Sequence, residues 1–344
     1  MNTVRTSAVA VDAEALLAMI HGGWASQAVC AAVTLRLPDH LAAGPHTPAA
    51  LARAAHCHVD SLSRLLRALA SLDIVHDCAD GTYMLSATGQ YLRSDTLNSV
   101  AGQAEWFGRY SWPLWGELVE SVQTGVSARV RANGSGGYGH LLANPGAAEV
   151  FNRAMRDLTR IVASSVVSAY DFSGVRTIVD VGGGHGELLV AILTAWPKTE
   201  GTILELAHAI PGAREHVRDA GLGHRCSAEQ GDFFIEIPAG ADVYLLKAVL
   251  HNWDDDHCSR ILRTLSRAAS AHARLLVIER VLPDRVQPTA LHQAVARSDL
   301  NMLVGVGGRE RTQSELTSML QDAGFGAVTF TPLSGAFNLI EARR

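Results

Sequence analysis

The segment VDVGGGHGELLVAIL, residues 179–193, decides the fold of the C-terminal half of the chain. It begins with a short apolar run, continues through several glycines and ends in a second apolar run. This order predicts a strand, a glycine turn and a helix, in which backbone N–H groups and the helix N-terminus can hold a polar ligand. The dinucleotide fingerprint G-x-G-x-x-G is not met, because Glu187 stands where the last glycine counted from Gly182 is required. That departure favours a ligand without a pyrophosphate.

The alternation of strands and helices continues from residue 176 towards the C-terminus. Short apolar runs occur at 176–182, 201–206, 241–247 and 274–282, each followed by a polar or helical segment. This pattern predicts an α/β fold with a doubly wound, mostly parallel sheet. Ligands of such sheets bind outside the carboxyl ends of the strands, so residues at those ends are the candidates for a functional site.

Two further strand ends carry residues suited to a nucleoside. Glu205 ends the second predicted strand and is placed to bond a ribose diol. The third strand ends in GDFF, where Asp232 can accept from an exocyclic amine and Phe233 can cover a purine face. Each residue alone is ordinary, but a glycine turn, an acid and an aromatic at three strand ends in series predict one ligand site.

The N-terminal hundred residues read as helices with one hairpin. Thr47 and Pro48 have the sequence of a helix N-cap and first helical position. A helix with leucines on one face follows, and Asp80-Gly81 between two short apolar runs predicts a β-hairpin. Helix, helix and hairpin is a winged-helix pattern. The leucines on the common face are Leu62, Leu65, Leu66 and Leu69.

Charge argues against nucleic acid as the partner of this winged helix. The chain of 344 residues has a formal net charge of −5, and 47–95 contains four Arg, no Lys and five Asp. A DNA-binding face needs a basic patch. We therefore expect an interaction module, with neither nucleic acid nor an anionic membrane as partner, although a DNA-binding regulator remains the alternative from another class.

The cysteines and the N-terminal apolar segment suggest the cellular setting. The five cysteines are scattered without a C-x-x-C, which favours reduced thiols in the cytoplasm and neither a disulfide framework nor a zinc site. Residues 15–35 lack formal charge and are long enough to span a bilayer, but His21, two glycines and Gln27 suit lipid poorly. We expect this helix to pack against a second subunit.

Five segments together resemble one enzyme family. The segments VDVGGGHG, GDFF, LLKAVLHNWDDD, VIERVLPD and GGRERTQSEL are similar, in order and spacing, to those of S-adenosylmethionine-dependent small-molecule O-methyltransferases of the plant caffeate/isoflavone type, and especially of their bacterial antibiotic-tailoring branch. The resemblance spans nearly the whole chain. It implies a winged-helix-like dimerisation domain at 1–100, a helical linker contributing to the substrate pocket at 101–170, and a catalytic domain with a Rossmann-like methyltransferase sheet at 171–344.

The resemblance also implies roles for single residues. His251 would be the general base, because an imidazole with a reference pKa near ~6.5 can take the proton of a phenol at neutral pH. Glu279 and Glu310 would flank and orient it, Glu279 also ending a strand. Two departures from the family pattern are ELAHAI after the second strand and Asn252 in place of an acid. The cofactor-binding residues implied are Asp180, Gly182, Gly183, Gly184, Glu205, Leu206, Gly231, Asp232, Phe233, Lys247 and Trp253.

The function implied is transfer of a methyl group from S-adenosylmethionine to a hydroxyl of an aromatic, polyketide-like or phenolic, metabolite. We expect a homodimer without a metal. A divergent member that uses the same cofactor for hydroxylation or decarboxylation is the alternative within the family. The residues expected to contact the acceptor are Trp106, Phe107, Met155, Asn252, Asn301 and Met302.

Overall fold

A computed structural model describes residues 4–134 and 138–344 of the chain. Its internal contacts divide the chain into two compact units, Met1–Trp112 and Pro113–Arg344. The finer division predicted from the sequence, with a linker at 101–170, stays a prediction.

The first unit consists of helices and a short hairpin, as predicted. Thr47 caps a helix, since its hydroxyl accepts a hydrogen bond from the Ala50 N–H at 3.3 Å. Strands β1 (Val75–Asp77) and β2 (Tyr83–Leu85) pair antiparallel on either side of Asp80-Gly81. The helices are α1 (Val4–Thr34), α2 (Leu37–His40), α3 (Pro48–Ala54), α4 (Val59–Ser71) and α5 (Ala101–Trp106), with 3₁₀ turns at Leu41–Ala43 and Gly89–Leu92 and a π-helical turn at Phe107–Ser111.

The core of this unit forms around α4. Leu62, Leu66 and Leu69 are buried, and Leu65 packs partly buried against the same cluster. The predicted apolar face is therefore confirmed.

Helix α1 leaves much of its apolar surface uncovered within the chain. Met19 is 75% exposed and Trp24 is 69% exposed. By length and composition alone, the segment Ala13–Thr34 could cross a membrane. In its most apolar stretch, 11% of the residues are buried. Apolar surface of this extent requires a covering partner.

The second unit is a sheet with helices on both faces. Its helices are α6 (Trp112–Trp115, beginning at the unit boundary), α7 (Leu118–Thr124), α8 (Ala128–Asn133), α9 (Gly139–Leu142), α10 (Pro145–Ala169), α11 (Glu187–Ala195), α12 (Ile210–Asp219), α13 (Asp255–Ala268), α14 (Ala290–Val304) and α15 (Gln313–Asp322). Its strands are β3 (Thr177–Val181), β4 (Glu200–Glu205), β5 (Cys226–Gln230), β6 (Val243–Lys247), β7 (Arg274–Leu282), β8 (Arg311–Thr312), β9 (Gly326–Pro332) and β10 (Phe337–Arg343). Short 3₁₀ turns lie at Leu250–Asn252 and Ser334–Ala336.

The strand order confirms a doubly wound, mostly parallel sheet. The order is β5-β4-β3-β6-β7-β10-β9, with β8 paired to β7. Strands β3 to β7 run parallel, whereas β10 and β9 are antiparallel additions at one edge. The reversal of order between β3 and β6 places the ends of β3, β4 and β6 side by side, which is where such sheets bind ligands.

Two apolar cores, one on each face, hold these strand ends in place. On one face Ile178 of β3 packs with Leu189 of α11 and Val162 of α10. On the other face Val179 packs with Ile261 and neighbouring residues of α13. Successive residues of a strand point to opposite faces, so a strand buried on both sides is apolar throughout.

Candidate active site

A cavity of about 320 Å³ lies at the carboxyl ends of β3, β4 and β6. Ten of the eleven predicted cofactor residues line it, the exception being Gly231. Gly231 instead donates its N–H to the Glu205 carbonyl at 3.0 Å, and a Cβ there would lie 2.6 Å from Leu204. It therefore aligns the end of β5 against β4.

The glycine turn after β3 is shaped by close contacts. Gly182 has a φ of 70°, and a Cβ at Gly183 would lie 2.6 Å from the carboxyl group of Asp180. A side chain at Gly183 would therefore displace a carboxylate that lines the cavity.

Glu205 is fixed by the turn. Its carboxylate accepts the Gly184 N–H at 3.0 Å through one oxygen and the Leu206 N–H at 2.8 Å through the other. The Gly184 N–H, which the sequence suggested for a ligand, is thus used within the protein. In return the carboxylate at the end of β4 is held at the cavity wall by backbone groups.

Asp180 and Lys247 bring opposite charges to the cavity. Burial, followed by the charge of Glu205, raises the pKa of Asp180 to about 7. Burial, followed by the charge of Arg280, lowers the pKa of Lys247 to about 8, and its ammonium donates to the Thr159 hydroxyl at 2.9 Å. Among the residues described, the Asp180 carboxylate makes no hydrogen bond. A buried carboxylate of this kind suits a ligand that carries a positive charge.

Aromatic rings form the wall beyond β5. Phe233 and Trp253 meet edge to face with centroids 6.3 Å apart, and Phe234 lies against Trp253 at 4.8 Å. Asp232 starts this wall and accepts the Phe234 N–H at 2.9 Å. The arrangement offers apolar aromatic surface beside a carboxylate, as a purine requires.

His251 and two glutamates form a buried cluster behind the cavity. Nδ1 of His251 lies 3.1 Å from Oε1 of Glu310 and 3.5 Å from Oε2 of Glu279. Within the described parts of the chain, Nε2 has no hydrogen-bond partner. Glu310 has a relative exposure of 2%, so it is a buried acid although it stands in the charged run RER.

The pKa values of the cluster differ by position. Burial opposes a charged imidazole at His251, but the charges of Glu279 and Glu310 outweigh it and raise the pKa. Burial also opposes ionisation of Glu310, yet the charge of His251 and the hydrogen bonds from His251 and Ser298 lower its pKa overall. For Glu279, burial prevails and the pKa is raised. Glu310 is therefore the carboxylate that holds the negative charge beside the imidazole.

The ligand atoms of this cluster lie within 4.8 Å of one another, close enough for a metal ion by distance alone. Oε1 of Glu279 accepts the N–H groups of Val249 and His251, and Oε1 of Glu310 accepts from Ser298 and His251. Oε2 of each glutamate is buried without a hydrogen-bond partner among the described residues. The predicted absence of a metal stays a prediction.

A tight turn brings His251 to this position. Ala248 has a φ of 54° and begins the turn after β6. Gly308 closes it from the other side, since a Cβ there would lie 2.1 Å from the His251 carbonyl oxygen. Arg311, which the sequence analysis missed, is buried and donates to the carbonyls of Leu250 at 3.0 Å and Trp253 at 2.8 Å.

His251, Glu279 and Glu310 do not themselves line the cavity, but Val249, two residues before His251, and Asn252, directly after it, do. Of the predicted acceptor residues, Met155 and Asn252 line it. Asn301 accepts the indole N–H of Trp115 at 3.1 Å, and Met302 is buried in its helix.

The other two predicted acceptor residues belong to the first unit. There Trp106 is buried and stacks on Tyr110 with centroids 5.2 Å apart, and Phe107 is 40% exposed. Their contact with an acceptor stays a prediction.

Several cavity residues were not singled out from the sequence. Phe151 and Thr159 lie four residues before and four residues after the predicted Met155 on α10, and this helical spacing is a signal that could have found both. Arg156 and His208 also line the cavity, and no sequence pattern marks them. Tyr138 and His185 line the cavity as well.

Comparison with known proteins identifies the family. Residues 115–326 match the model of the O-methyltransferase domain, and 17–95 match the O-methyltransferase dimerisation domain. The chain belongs to the O-methyltransferase family. The family resemblance, the fold and the S-adenosylmethionine cofactor predicted from the sequence are thereby confirmed, and the dimerisation domain supports a homodimer.

Individual relatives match nearly the whole length of the chain. The mitomycin biosynthesis 6-O-methyltransferase of Streptomyces lavendulae is 39% identical over 98% of this chain and 97% of its own. The phenazine O-methyltransferase of Lysobacter antibioticus is 36% identical over 95% of each chain. The structure of human N-acetylserotonin methyltransferase in complex with S-adenosylmethionine matches with a TM-score of 0.89 at 26% identity, covering 97% of both chains.

Proposed function

We propose that this O-methyltransferase methylates a hydroxyl group on an aromatic, polyketide-like or phenolic, secondary metabolite, with His251 as general base. The observation that carries the proposal is the orientation of the His251 imidazole. Nδ1 faces the buried carboxylates of Glu279 and Glu310, and Nε2 has no hydrogen-bond partner among the described residues. The relatives that act in mitomycin and phenazine biosynthesis support an aromatic acceptor.

The residues of the cavity fit S-adenosylmethionine. Asp180 offers an unpaired carboxylate for the ammonium of the methionine end, and Glu205 offers a fixed carboxylate for the ribose. Phe233 and Trp253 provide the apolar surface for the adenine. When bound, this cofactor supplies an electrophilic methyl group on a sulfonium.

The chain itself has to orient the acceptor and remove its proton. Nε2 of His251 accepts the hydroxyl proton, and the carboxylate of Glu310 stabilises the imidazolium that results. A general base contributes about 10²–10⁴-fold, whereas alignment of two bound reactants contributes about 7–11 kcal/mol. Orientation by the cavity walls is therefore the larger effect.

We also propose that α1 is covered by the second subunit of a homodimer in the cytoplasm. The support is the exposed apolar surface around Met19 and Trp24 within the segment that matches the dimerisation domain. A winged-helix regulator is disfavoured by the acidic balance of 47–95.

The test is product analysis with isotope-labelled S-adenosylmethionine and a panel of phenols, hydroxyphenazines and hydroxyquinones. The expected product gains one labelled methyl group on oxygen. A product that gained an oxygen atom or lost a carboxyl group, without the label, would support the divergent alternative. No labelled product from any acceptor, with cofactor binding intact, would contradict the proposal.

A further inference from the structure

A second cavity of about 460 Å³ adjoins the cofactor cavity. Both are lined by Arg156 of α10, His185 of the glycine turn and His208 before α12. The side cavity continues along the first turns of α10, from Pro145 onwards. Asp180 and Lys247 line only the first of the two cavities among the described residues. The side cavity therefore lies beside the predicted methionine site and not within it.

Arg156 brings an unmatched positive charge to this cavity. Its Nε is shielded from solvent and has no hydrogen-bond acceptor in residues 4–134 and 138–344. Neighbouring arginines of the same helix have acids of their own, since Arg153 lies 3.4 Å from Glu149 and Arg160 lies 2.8 Å from Glu187. A partly buried guanidinium without a counter-ion is costly unless an anion fills its place.

Two imidazoles beside Arg156 complete a set of donors. Nδ1 of His208 is buried without a partner in the described part of the chain. Burial, followed by the charges of Arg156, His216 and His208, lowers the pKa of His185 to about 4, so its ring is neutral at pH 7. That ring rests on Gly212, where a Cβ would lie 2.5 Å from Nε2 of His185. Arg153 and Glu149 also line the side cavity but pair with each other, so Arg156 brings the one unmatched positive charge among the described lining residues. A single unmatched positive charge matches a carboxylate better than the double charge of a phosphate.

We propose that Arg156, His185 and His208 form a subsite for a carboxylate carried by the acceptor, which makes this enzyme selective for aromatic hydroxy acids. The inference rests on the proposed function, because it assigns the acceptor to the cofactor cavity, which adjoins the side cavity. The row Phe151, Met155 and Thr159 forms the wall of that cavity on the same helix as Arg156. Arg156 lines the same cavity as this row, so an acceptor lying along the wall has the guanidinium at the border of its site.

The experiment is calorimetry on the full-length protein saturated with S-adenosylhomocysteine. The probes are salicylate with salicylamide and hydroxynaphthoate with hydroxynaphthamide, so that each acid is compared with its neutral isostere. In the unmodified protein at least one acid should bind about tenfold more tightly than its amide, as a charge-assisted hydrogen bond provides. Arg156→Gln should abolish that difference, and Arg156→Lys should keep part of it.

Controls separate the subsite from general effects. Arg263→Gln removes an exposed arginine from α13 and should leave the acid–amide difference unchanged. His208→Ala, which should reduce the difference, provides a second test if Arg156→Gln is unstable. Equal affinities of acid and amide for both pairs in the unmodified protein would overturn the proposal.

A third set of measurements tests whether Arg156 binds the carboxylate of the cofactor and not that of the acceptor. Methylthioadenosine lacks the amino-acid portion of S-adenosylhomocysteine. If Arg156→Gln weakened S-adenosylhomocysteine but neither methylthioadenosine nor the aromatic acids, the carboxylate would belong to the cofactor and the acceptor subsite would be refuted. Binding is measured without turnover, so acids that bind through Arg156 but are never methylated would contradict the proposed function alone.

Discussion

Oε1 of Glu310 lies 3.1 Å from Nδ1 of His251, and the opposite nitrogen, Nε2, has no hydrogen-bond partner among the residues that the structure describes. The second carboxylate of the cluster, Glu279, is not equivalent, because its Oε1 is occupied by the N–H groups of Val249 and His251. Glu279 thus braces the turn that carries the base, whereas Glu310 supplies the negative charge that the imidazolium needs. This division of roles leads to separate expectations for the members of the cluster.

The His251→Ala variant should bind the cofactor nearly normally, because His251 does not line the cofactor cavity. Its kcat should fall by about 10²–10⁴, with the remaining rate supplied by orientation of the reactants. That remaining rate should increase with pH as the phenol ionises by itself. Stopped assays with the true acceptor and calorimetry with S-adenosylhomocysteine measure both effects. A full rate at neutral pH would show that His251 is not the base.

The pH dependence of kcat/KM should follow the neutral fraction of His251. The rate should rise with pH to a plateau, with a midpoint above ~6.5 because the neighbouring carboxylates raise the pKa. Glu310→Gln removes the nearer negative charge, so the imidazole pKa should fall and the rise should move to lower pH. The plateau should also fall, since a weaker base removes the proton less effectively.

The comparison with Glu279→Gln sharpens this expectation. Glu279→Gln should reduce kcat less than His251→Ala, because it disturbs the turn without removing the accepting nitrogen. A midpoint that stayed fixed in Glu310→Gln would contradict the role of Glu310 as the charged partner.

Activity should survive excess EDTA. In the described part of the chain, the oxygens of Glu279 and Glu310 that face His251 already accept hydrogen bonds or lie against its ring, so they are suited to a shared proton. The measurement is initial rate after exhaustive chelation, with and without added Mg²⁺ or Zn²⁺. A loss of rate that either ion restored would identify the cluster as a metal site.

Four of the five parallel strands could be predicted because each contains an apolar run that is followed by a polar or helical segment, whereas β5, with the sequence CSAEQ, contains no such run. The rule that such ends meet at one edge then brought Asp180, Glu205 and Lys247 together without any structure. Strands β9 and β10 could not be found in this way. Residues 326–332 are mostly exposed, so their strand depends on pairing with β10 and not on burial of their own side chains.

Arg311 is a second feature that could not be predicted from the sequence. In the run RER a buried arginine looks like a surface charge, because the carbonyl groups it serves lie sixty residues earlier in the turn after β6. Two of the three aspartates that follow Trp253 have similar roles that the sequence does not reveal. Asp254 caps α13 by accepting the His257 N–H at 2.8 Å, and Asp255 pairs with Arg311 at 2.8 Å.

Ser298 should tune the base through Glu310. Its hydroxyl donates to Oε1 of Glu310 at 2.6 Å and accepts from Arg280 at 3.3 Å. Ser298→Ala removes this donor, so the pKa of Glu310 should rise, its charge beside His251 should decrease and the imidazole pKa should fall. Since a hydrogen bond to a charged group contributes about 1.5–3 kcal/mol, we expect a loss of about tenfold in kcat with the midpoint of the pH profile moved down.

Ser298→Thr is the matched control, because it keeps the hydroxyl and should restore both the rate and the midpoint. The other charged groups that face the cluster, Glu279, Arg280 and Asp299, are unchanged in both variants. Titration of His251 by NMR follows the imidazole directly and needs no turnover. If its pKa were the same in Ser298→Ala and the unmodified protein, the serine would be a packing residue with no influence on the base.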